Sequence, residues 1–445
     1  MKRIAYLLFI TLTAASCKKF LDVQPDLQID ESRALNNAGS AETALNGLYN
    51  RLGDNGYYGS NFQALSYLSG GDIKWTGSQA APQEVTLHKL SADNGYVGDA
   101  WNAIYTTILQ ANLLVGKVPG ITDPVLTEAR KKTIVGEALF IRALAYFDLA
   151  RGWGGVPLIL LPTEVASDNE NVARSTEAET YAQVLKDLDA AEGLLAETVN
   201  RNKVTRKTVW ALKARFHLYR QNWEQADAYA TLLIKDVANY SLQKPYSSFF
   251  ANNAANTPES ILELAYSNSF KNNHSNWWLP PASGGRREWS PADHLVTLLN
   301  TPATGGTRSA AIKQTSAGLW YGNVYYRSPV GIDPSYVLRI AEQYLIRAEA
   351  RAHQHRTDAA LEDLDAVRSR AGLAPSGATS EEDILRAISE ERRLEFAFES
   401  DRWYDLRRTG RITEATGVAD PDRFLFPIPT KELQTNTAII QNEGY

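Results

Sequence analysis

A helical pattern that recurs along the chain constrains its fold most. Glu128–Arg151 (EARKKTIVGEALFIRALAYFDLAR) places Val135, Ala138, Leu139, Arg142, Tyr146 and Leu149 on one face of a 3.6-residue period. Its Ile141-Arg-Ala-Leu-Ala145 recurs as Ile346-Arg-Ala-Glu-Ala350. Trp223-Glu-Gln-Ala-Asp-Ala-Tyr-Ala230 follows a helical stretch through a short turn, and Thr357-Asp-Ala-Ala-Leu-Glu-Asp-Leu364 does the same after Tyr336–His353. Small residues let two helices approach closely, so antiparallel pairs can stack on their neighbours as a solenoid.

Further helical stretches are predicted at Trp101–Val118, with Asn112 inside its apolar stripe, and at Thr176–Glu197, Thr205–Arg220 and Trp223–Lys235. Others fall at Tyr336–His353, Asp358–Arg370 and Ser380–Arg408; Gly152-Trp-Gly-Gly-Val-Pro157 stops the Glu128 helix. Helix, short turn and second helix with Ala at its fourth position is the tetratricopeptide-like unit. The expected fold is therefore mostly α, with tetratricopeptide-like helix pairs forming a superhelical scaffold. Tyr240–Gly331 is different: rich in Asn, Ser, Gly and Pro, with one strand-like run at Ile261–Tyr266. The organisation read from this is a signal segment over 1–16 and one domain over 17–445. Its scaffold spans about 30–240 and 332–410, around a loop-rich ligand-binding insertion at about 241–331.

Cys17 is the only cysteine, so no intramolecular disulfide can form and the fold must rest on its core. It follows a segment with secretory grammar. Lys2 and Arg3 precede the apolar Ile4–Leu12, and Ala14-Ala-Ser16 are the small residues of a cleavage site. A cysteine just after such a cut is where a bacterium attaches lipid, so Cys17 is expected to be the lipidated first residue of the mature chain. No later run approaches the ~18 apolar residues of a spanning helix, so the chain is expected to sit on a membrane without crossing it. Without Met1–Ser16 there are 44 basic and 51 acidic residues, a net charge of −7. With no basic stripe, nucleic acid is not an expected partner.

Catalytic signals are poor. The six histidines are scattered, and His353-Gln-His355 sits at a helix end without a metal-binding partner pattern. There is no GxSxG elbow, phosphate loop or thiol nucleophile. No metal, cofactor or catalytic residue is expected. The Glu390-Glu-Arg-Arg-Leu-Glu395 block invites an acid–base reading, but Ile384, Ile388, Glu391, Leu394, Glu395 and Phe398 share one helical face. Buried carboxylates need partners. Arg142 and Arg347 occupy apolar faces of other helices, and Arg402 lies further along the same one. Arg142, Arg347, Glu391, Glu395 and Arg402 are therefore expected to form a buried structural network that locks helix pairs in register.

Aromatic residues outside the periodic helices mark the candidate ligand site. Asp72-Ile-Lys74-Trp75 lies between glycines. Ser275-Asn276-Trp277-Trp278-Leu-Pro-Pro281 and Gly284-Gly-Arg286-Arg287-Glu-Trp289 follow, and Trp320-Tyr321 opens a further aromatic run. Flat rings in loops are costly to leave wet unless something covers them. A sugar ring offers an apolar C–H face to an indole and its hydroxyls to nearby Asp, Asn and Arg. Asp72, Lys74, Trp75, Asn276, Trp277, Trp278, Arg286, Arg287, Trp289, Trp320 and Tyr321 are the ligand-binding candidates.

The last third of the chain carries a family likeness. Val337-Leu-Arg-Ile-Ala-Glu-Gln-Tyr-Leu-Ile-Arg-Ala-Glu-Ala350 leads to Ala366-Val-Arg-Ser-Arg-Ala-Gly-Leu373 and then to Ile388-Ser-Glu-Glu-Arg-Arg-Leu-Glu-Phe-Ala-Phe-Glu-Ser-Asp-Arg-Trp-Tyr-Asp-Leu-Arg-Arg408. Leu425-Phe-Pro-Ile-Pro429 and Gln441-Asn-Glu-Gly-Tyr445 close it, and Cys17-Lys-Lys-Phe-Leu-Asp-Val-Gln-Pro25, Asn112 and Gly154-Gly-Val-Pro-Leu158 fit the same pattern. The chain resembles the SusD/RagB family of surface lipoproteins of Bacteroidetes nutrient-uptake systems. The resemblance implies a non-enzymatic, lipid-anchored, cell-surface protein of the outer membrane. It would capture an oligosaccharide or polysaccharide and pass it to a SusC-like TonB-dependent transporter. Peptide or another small nutrient is the alternative cargo. A helical glycoside hydrolase and a protein-only adaptor are the competing readings.

Overall fold

A computed structural model describes residues 35–163, 165–252, 254–327 and 331–445. The signal segment, Cys17 and the tether after it lie outside the described residues. The helices are α1 (Ala38–Leu52), α2 (Asn61–Ser69), α3 (Ala80–Thr86), α4 (Gly95–Lys117), α5 (Glu128–Trp153), α6 (Glu177–Leu194), α7 (Arg206–Tyr219) and α8 (Trp223–Ile234). They continue as α9 (His274–Trp278), α10 (Asp293–Asn300), α11 (Ile340–His353), α12 (Thr357–Arg370), α13 (Glu381–Glu395), α14 (Arg402–Arg408), α15 (Ile412–Thr416) and α16 (Thr430–Thr435). Six short strands, β1 (Ile73–Trp75), β2 (Ser260–Leu264), β3 (Trp289–Pro291), β4 (Ile312–Gln314), β5 (Trp320–Gly322) and β6 (Ser335–Arg339), pair antiparallel as β1–β3, β2–β6 and β4–β5.

The scaffold is a run of helix pairs. α4 packs on α5, α5 on α6, α7 on α8 and α11 on α12, while α8 also packs on α11 and joins the two halves. The starts are written locally. Thr176 and Thr205 cap α6 and α7 through capping boxes, and Asn94 caps α4 through its side-chain oxygen. The centre of the scaffold is α5, buried at every position from Gly136 to Trp153, so its apolar surface runs round the helix instead of down one stripe. The side chains of Glu137, Arg142, Tyr146, Asp148 and Arg151 within that stretch each hold a partner. Arg142 grips Asp187 of α6 with two hydrogen bonds of 2.7 Å and donates to Asn112 Oδ1 of α4 at 2.8 Å.

Two predicted helices are corrected. Tyr336–His353 begins as strand β6, whose five residues are all buried against β2, and becomes helix only at Ile340. Ser380–Arg408 is two helices. Between them, Glu395 O accepts hydrogen bonds from Tyr246 (3.1 Å) and Arg339 (3.2 Å), and Phe398 O accepts one from Tyr67 at 3.0 Å. These side chains replace the helical donors, so the chain turns and α14 starts on a new axis.

The expected single Arg–Glu network also divides. Glu391 and Glu395 are buried, but their partners are Arg308, Arg368, Arg339 and Arg370. Arg142 pairs with Asp187, and Arg347 holds Asp363 by hydrogen bonds of 2.6 and 2.8 Å. Arg402, carried away by the break after α13, lies 3.4 Å from Asp72. The arginines at helix-pair positions are thus satisfied within their own pairs.

Candidate functional site

The site begins with a turn. Residues 53–60 link α1 to α2, and Asp54 Oδ1 accepts from the Gly56 amide at 2.8 Å, folding the loop on itself. The hydroxyls of Tyr57 and Tyr58 donate to Asp148 Oδ2 of α5, at 2.6 and 3.0 Å, which ties the loop to the centre of the scaffold. A Cβ at Gly56 would lie 2.7 Å from Ala103 Cβ and 2.9 Å from Asp99 O, so glycine there lets the loop press against α4. On its other side the Asn273 amide donates to Gly59 O at 3.1 Å, and Trp277 Nε1 donates to Ser60 Oγ at 3.1 Å. The loop, the start of α4 and the short helix α9 thereby form one surface.

That surface is a groove of about 520 Å³ whose lining includes Arg51, Asp54, Asn55, Asn61, Tyr96, Asp99, Asn102, Asn273 and Trp277. Trp277 is half-buried. Its ring lies 6.0 Å from Trp75 and 5.8 Å from Trp289, with Arg286 5.4 Å over it. Tyr96 is 7% exposed, and its hydroxyl has no hydrogen-bond partner among the described residues. Burial pushes that hydroxyl well above its usual range, so it stays a neutral donor. The groove therefore offers one fixed aromatic ring, several amides and two carboxylates, while the Tyr96 hydroxyl itself is closed off from solvent.

The predicted residues do not all gather there. β1 pairs with β3 in the register Trp75↔Trp289, which brings two distant tryptophans side by side behind Trp277. Trp75 and Trp277 remain half-buried, whereas Trp278 and Trp289 are fully buried and are corrected to core residues. They pack edge-on to one another and to Tyr67. Asp72 is also buried beneath β1. It accepts from His294 Nε2 at 2.8 Å and from Arg393 Nε at 2.9 Å. Burial alone would raise its carboxyl, but His294, Arg393 and Arg402 hold it down at about 2.

Arg287 donates to Trp320 O at 2.9 Å and to Ser290 Oγ at 3.1 Å, so it fastens β5 to β3. Arg286 is exposed and bound to Glu288 at 2.6 Å, and Lys74 to Asp293 at 3.0 Å. Trp320 and Tyr321 are half-buried on the β4–β5 pair, and Asn276 is half-buried on α9; none of the three lines the groove.

Sequence reasoning passed over Asp54, Asn55, Asn61, Tyr96, Asp99 and Asn102. A signal was present: Asp54-Asn-Gly-Tyr-Tyr-Gly59 and Asp93-Asn-Gly-Tyr-Val-Gly98 share one turn motif. The first copy forms the groove loop; the second caps α4 and presents Tyr96 and Asp99 to it.

His274, the first residue of α9, makes the site acid-sensitive. It is fully buried, with Nε2 3.0 Å from both Tyr58 O and Ser335 Oγ, and burial holds the imidazole down at about 4 against an ordinary 6.5. A histidine neutral in the fold gains a proton on unfolding, so stability falls as pH drops from about 6.5 toward 4 and is level above. The full loss is ~3 kcal/mol. His217, held down at about 4 by burial, acts in the same direction. His274→Gln should be less stable than wild type at neutral pH yet lose less stability between about pH 7 and 4.5, read from urea unfolding. Parallel losses would remove His274 as a source.

A second groove, about 780 Å³, is lined by residues of α8, α11, α13 and α14, where Trp223 stacks on His353 at 4.1 Å. Among the described residues no cluster of His, Cys, Asp and Glu is arranged to hold a metal ion, and no helix is long and apolar enough to cross a membrane.

Two family models match the chain. A SusD-like model, described as "Starch-binding associating with outer membrane", covers residues 19–218, and one described as "SusD family" covers residues 321–421. The chain is 25% identical to SusD-like protein P38 of Formosa agariphila, over 99% of this chain and 98% of that protein. A SusD-like protein of Bacteroides ovatus is 25% identical over 89% of this chain and 80% of its own. Among solved structures, a SusD superfamily protein of Bacteroides vulgatus superposes with a TM-score of 0.83 at 23% identity, over 92% of this chain and 99% of that one. A laminarin-binding SusD-like protein superposes with a TM-score of 0.81 at 25% identity, over 92% and 100%. Helix pairs, family models at both ends and relatives along nearly the whole length agree, and the chain belongs to the SusD family.

Proposed function

We propose that this protein is a non-enzymatic, surface-exposed lipoprotein that captures an oligosaccharide or polysaccharide and delivers it to a SusC-like TonB-dependent transporter of the outer membrane. The carrying observation is the groove at Trp277. A half-buried indole fixed by Ser60 shares the groove with the amides of Asn55, Asn61 and Asn102 and the carboxylates of Asp54 and Asp99. An indole with convergent polar groups fits a sugar ring, whose C–H face stacks while its hydroxyls exchange hydrogen bonds. The laminarin-binding relative supports glycan as the cargo. The carboxylates that first invited a catalytic reading, Glu391 and Glu395, are buried among arginines away from the groove. The Cys17 lipid would supply the anchor.

Affinity electrophoresis against a polysaccharide panel tests the cargo. At least one glycan should retard the protein and release no reducing ends on incubation; retardation by none, with binding to a peptide library instead, would replace glycan by peptide. Detergent extraction of the native membrane with this protein as bait tests the partner. A large outer-membrane barrel should co-purify, and its absence after mild crosslinking would contradict the transporter role.

A further inference from the structure

The charge of the groove narrows the cargo further. Three of its lining side chains carry charge: Arg51 at the rim, Asp54 and Asp99. Asp54 accepts a hydrogen bond from the Gly56 backbone amide, and Asp99 one from the Asn61 side-chain Nδ2 at 3.1 Å; neither has a cationic partner among the described residues. The Gly56 close approach sets the loop bearing Asp54 against the first turns of α4, which bear Asp99. The mutual influence of the pair agrees, since Asp99 is pushed up first by burial and also by the charge of Asp54. Cations beside the aromatic shelf are already engaged: Arg286 with Glu288, Lys74 with Asp293, and Arg287 with the Trp320 carbonyl.

We propose that Asp54 and Asp99 make the groove selective for uncharged saccharides and reject chains bearing uronate or sulfate. The proposal rests on the glycan reading above. Both carboxylates keep free lone pairs that can accept hydroxyl protons from a neutral sugar. The same two groups meet a ligand carboxylate or sulfate with like charge, with Arg51 alone to offset them. Specificity of this kind comes from a repulsive element built against the wrong ligand, in addition to contacts with the right one.

The test is affinity electrophoresis of wild type and the Asp54→Asn/Asp99→Asn double variant. The gels contain laminarin, xyloglucan, galactomannan or starch, each as the neutral polymer and as its lightly carboxymethylated derivative, with polygalacturonate and alginate alongside. The neutral polymer that retards wild type should lose at least about tenfold in affinity on carboxymethylation. Raising the salt to about 0.5 M should recover most of that loss, which steric exclusion of the added group would not. In the double variant, with circular dichroism and melting confirming its fold, the ratio between neutral and carboxymethylated forms should shrink to about threefold or less. Equal retardation of wild type by a neutral polymer and its derivative, retention on polygalacturonate or alginate, or an unchanged ratio in the variant would each overturn the charge selectivity while leaving glycan capture intact. Retardation by no polymer would remove the glycan reading and this selectivity with it.

Discussion

Glu395→Ala is expected to lower the free energy of unfolding by about 3–5 kcal/mol, because it leaves buried guanidinium groups short of a counter-charge. Glu395 is fully buried. It accepts from Arg308 Nε and Arg339 Nη1, both at 2.9 Å, and from Arg370. Glu259 shares Arg339 at 2.8 Å and Arg370 at 3.1 Å, and Glu391 joins Arg308 to Arg368, so four arginines and their carboxylates form one cluster. Its members come from the segment before β4, from β6, and from α12 and α13, with Glu259 just ahead of β2. The cluster therefore joins the middle of the chain to the last helix pairs.

Burial pushes the Glu395 carboxyl up, but Arg370, Arg308 and Arg339 more than reverse this and hold it at about 2 against an ordinary 4.5. The contribution is thus fully present above about pH 4.5 and is lost as pH falls toward 2. Urea unfolding should show a large gap between wild type and Glu395→Ala at neutral pH and a smaller one near pH 3. The folded fraction of the variant should keep its ligand affinity, because no Glu395 contact reaches the groove. A variant as stable as wild type at neutral pH would contradict the cluster's structural role.

Trp277→Ala is expected to weaken glycan binding about 10- to 100-fold, the loss typical of an aromatic anchor at the centre of a contact. Trp277 is the one tryptophan lining the groove, and its Nε1 bond to Ser60 fixes the ring before any ligand arrives. Preorganisation of this kind lowers the entropy cost of binding. Trp223→Ala is the matched control: Trp223 is also half-buried, but it stacks on His353 in the other groove. Gel retardation should fall with the first substitution and hold with the second. Equal loss in both would point to a general effect on folding.

The scaffold was legible because its signals are local. Thr176, Thr205 and the Gly152–Gly155 run mark helix ends within a few residues of where they occur, and the repeated Ile-Arg-Ala-x-Ala core marks two of the packed helices. Errors arose where distant chain decides. Tyr336 to Arg339 has a pattern that helix and strand share, and its pairing with Ser260–Leu264 settles the matter. The break after Glu395 depends on donors from Tyr246, Arg339 and Tyr67, none of them near in sequence.

The site follows the same division. Trp277 and Trp278 are adjacent in one Asn-Trp-Trp run, yet the short helix turns one toward the groove and the other into the core. No neighbouring residue distinguishes them. Asp72 looked like a ligand contact in a glycine-flanked loop, and only the fold brings Arg393 and Arg402 to it across more than three hundred residues. The paired Asp-Asn-Gly-Tyr turns were readable, but their meeting depends on α1, α2 and α4 packing together.

A crystal structure of the protein with an oligosaccharide that retards it in gels is the most direct test of glycan capture at Trp277. The sugar should stack on the Trp277 ring, with hydroxyls hydrogen-bonded to Asn61, Asp54 or Asp99. A sugar seated instead in the second groove, against Trp223 and His353, with the Trp277 groove empty, would contradict the assignment of the site.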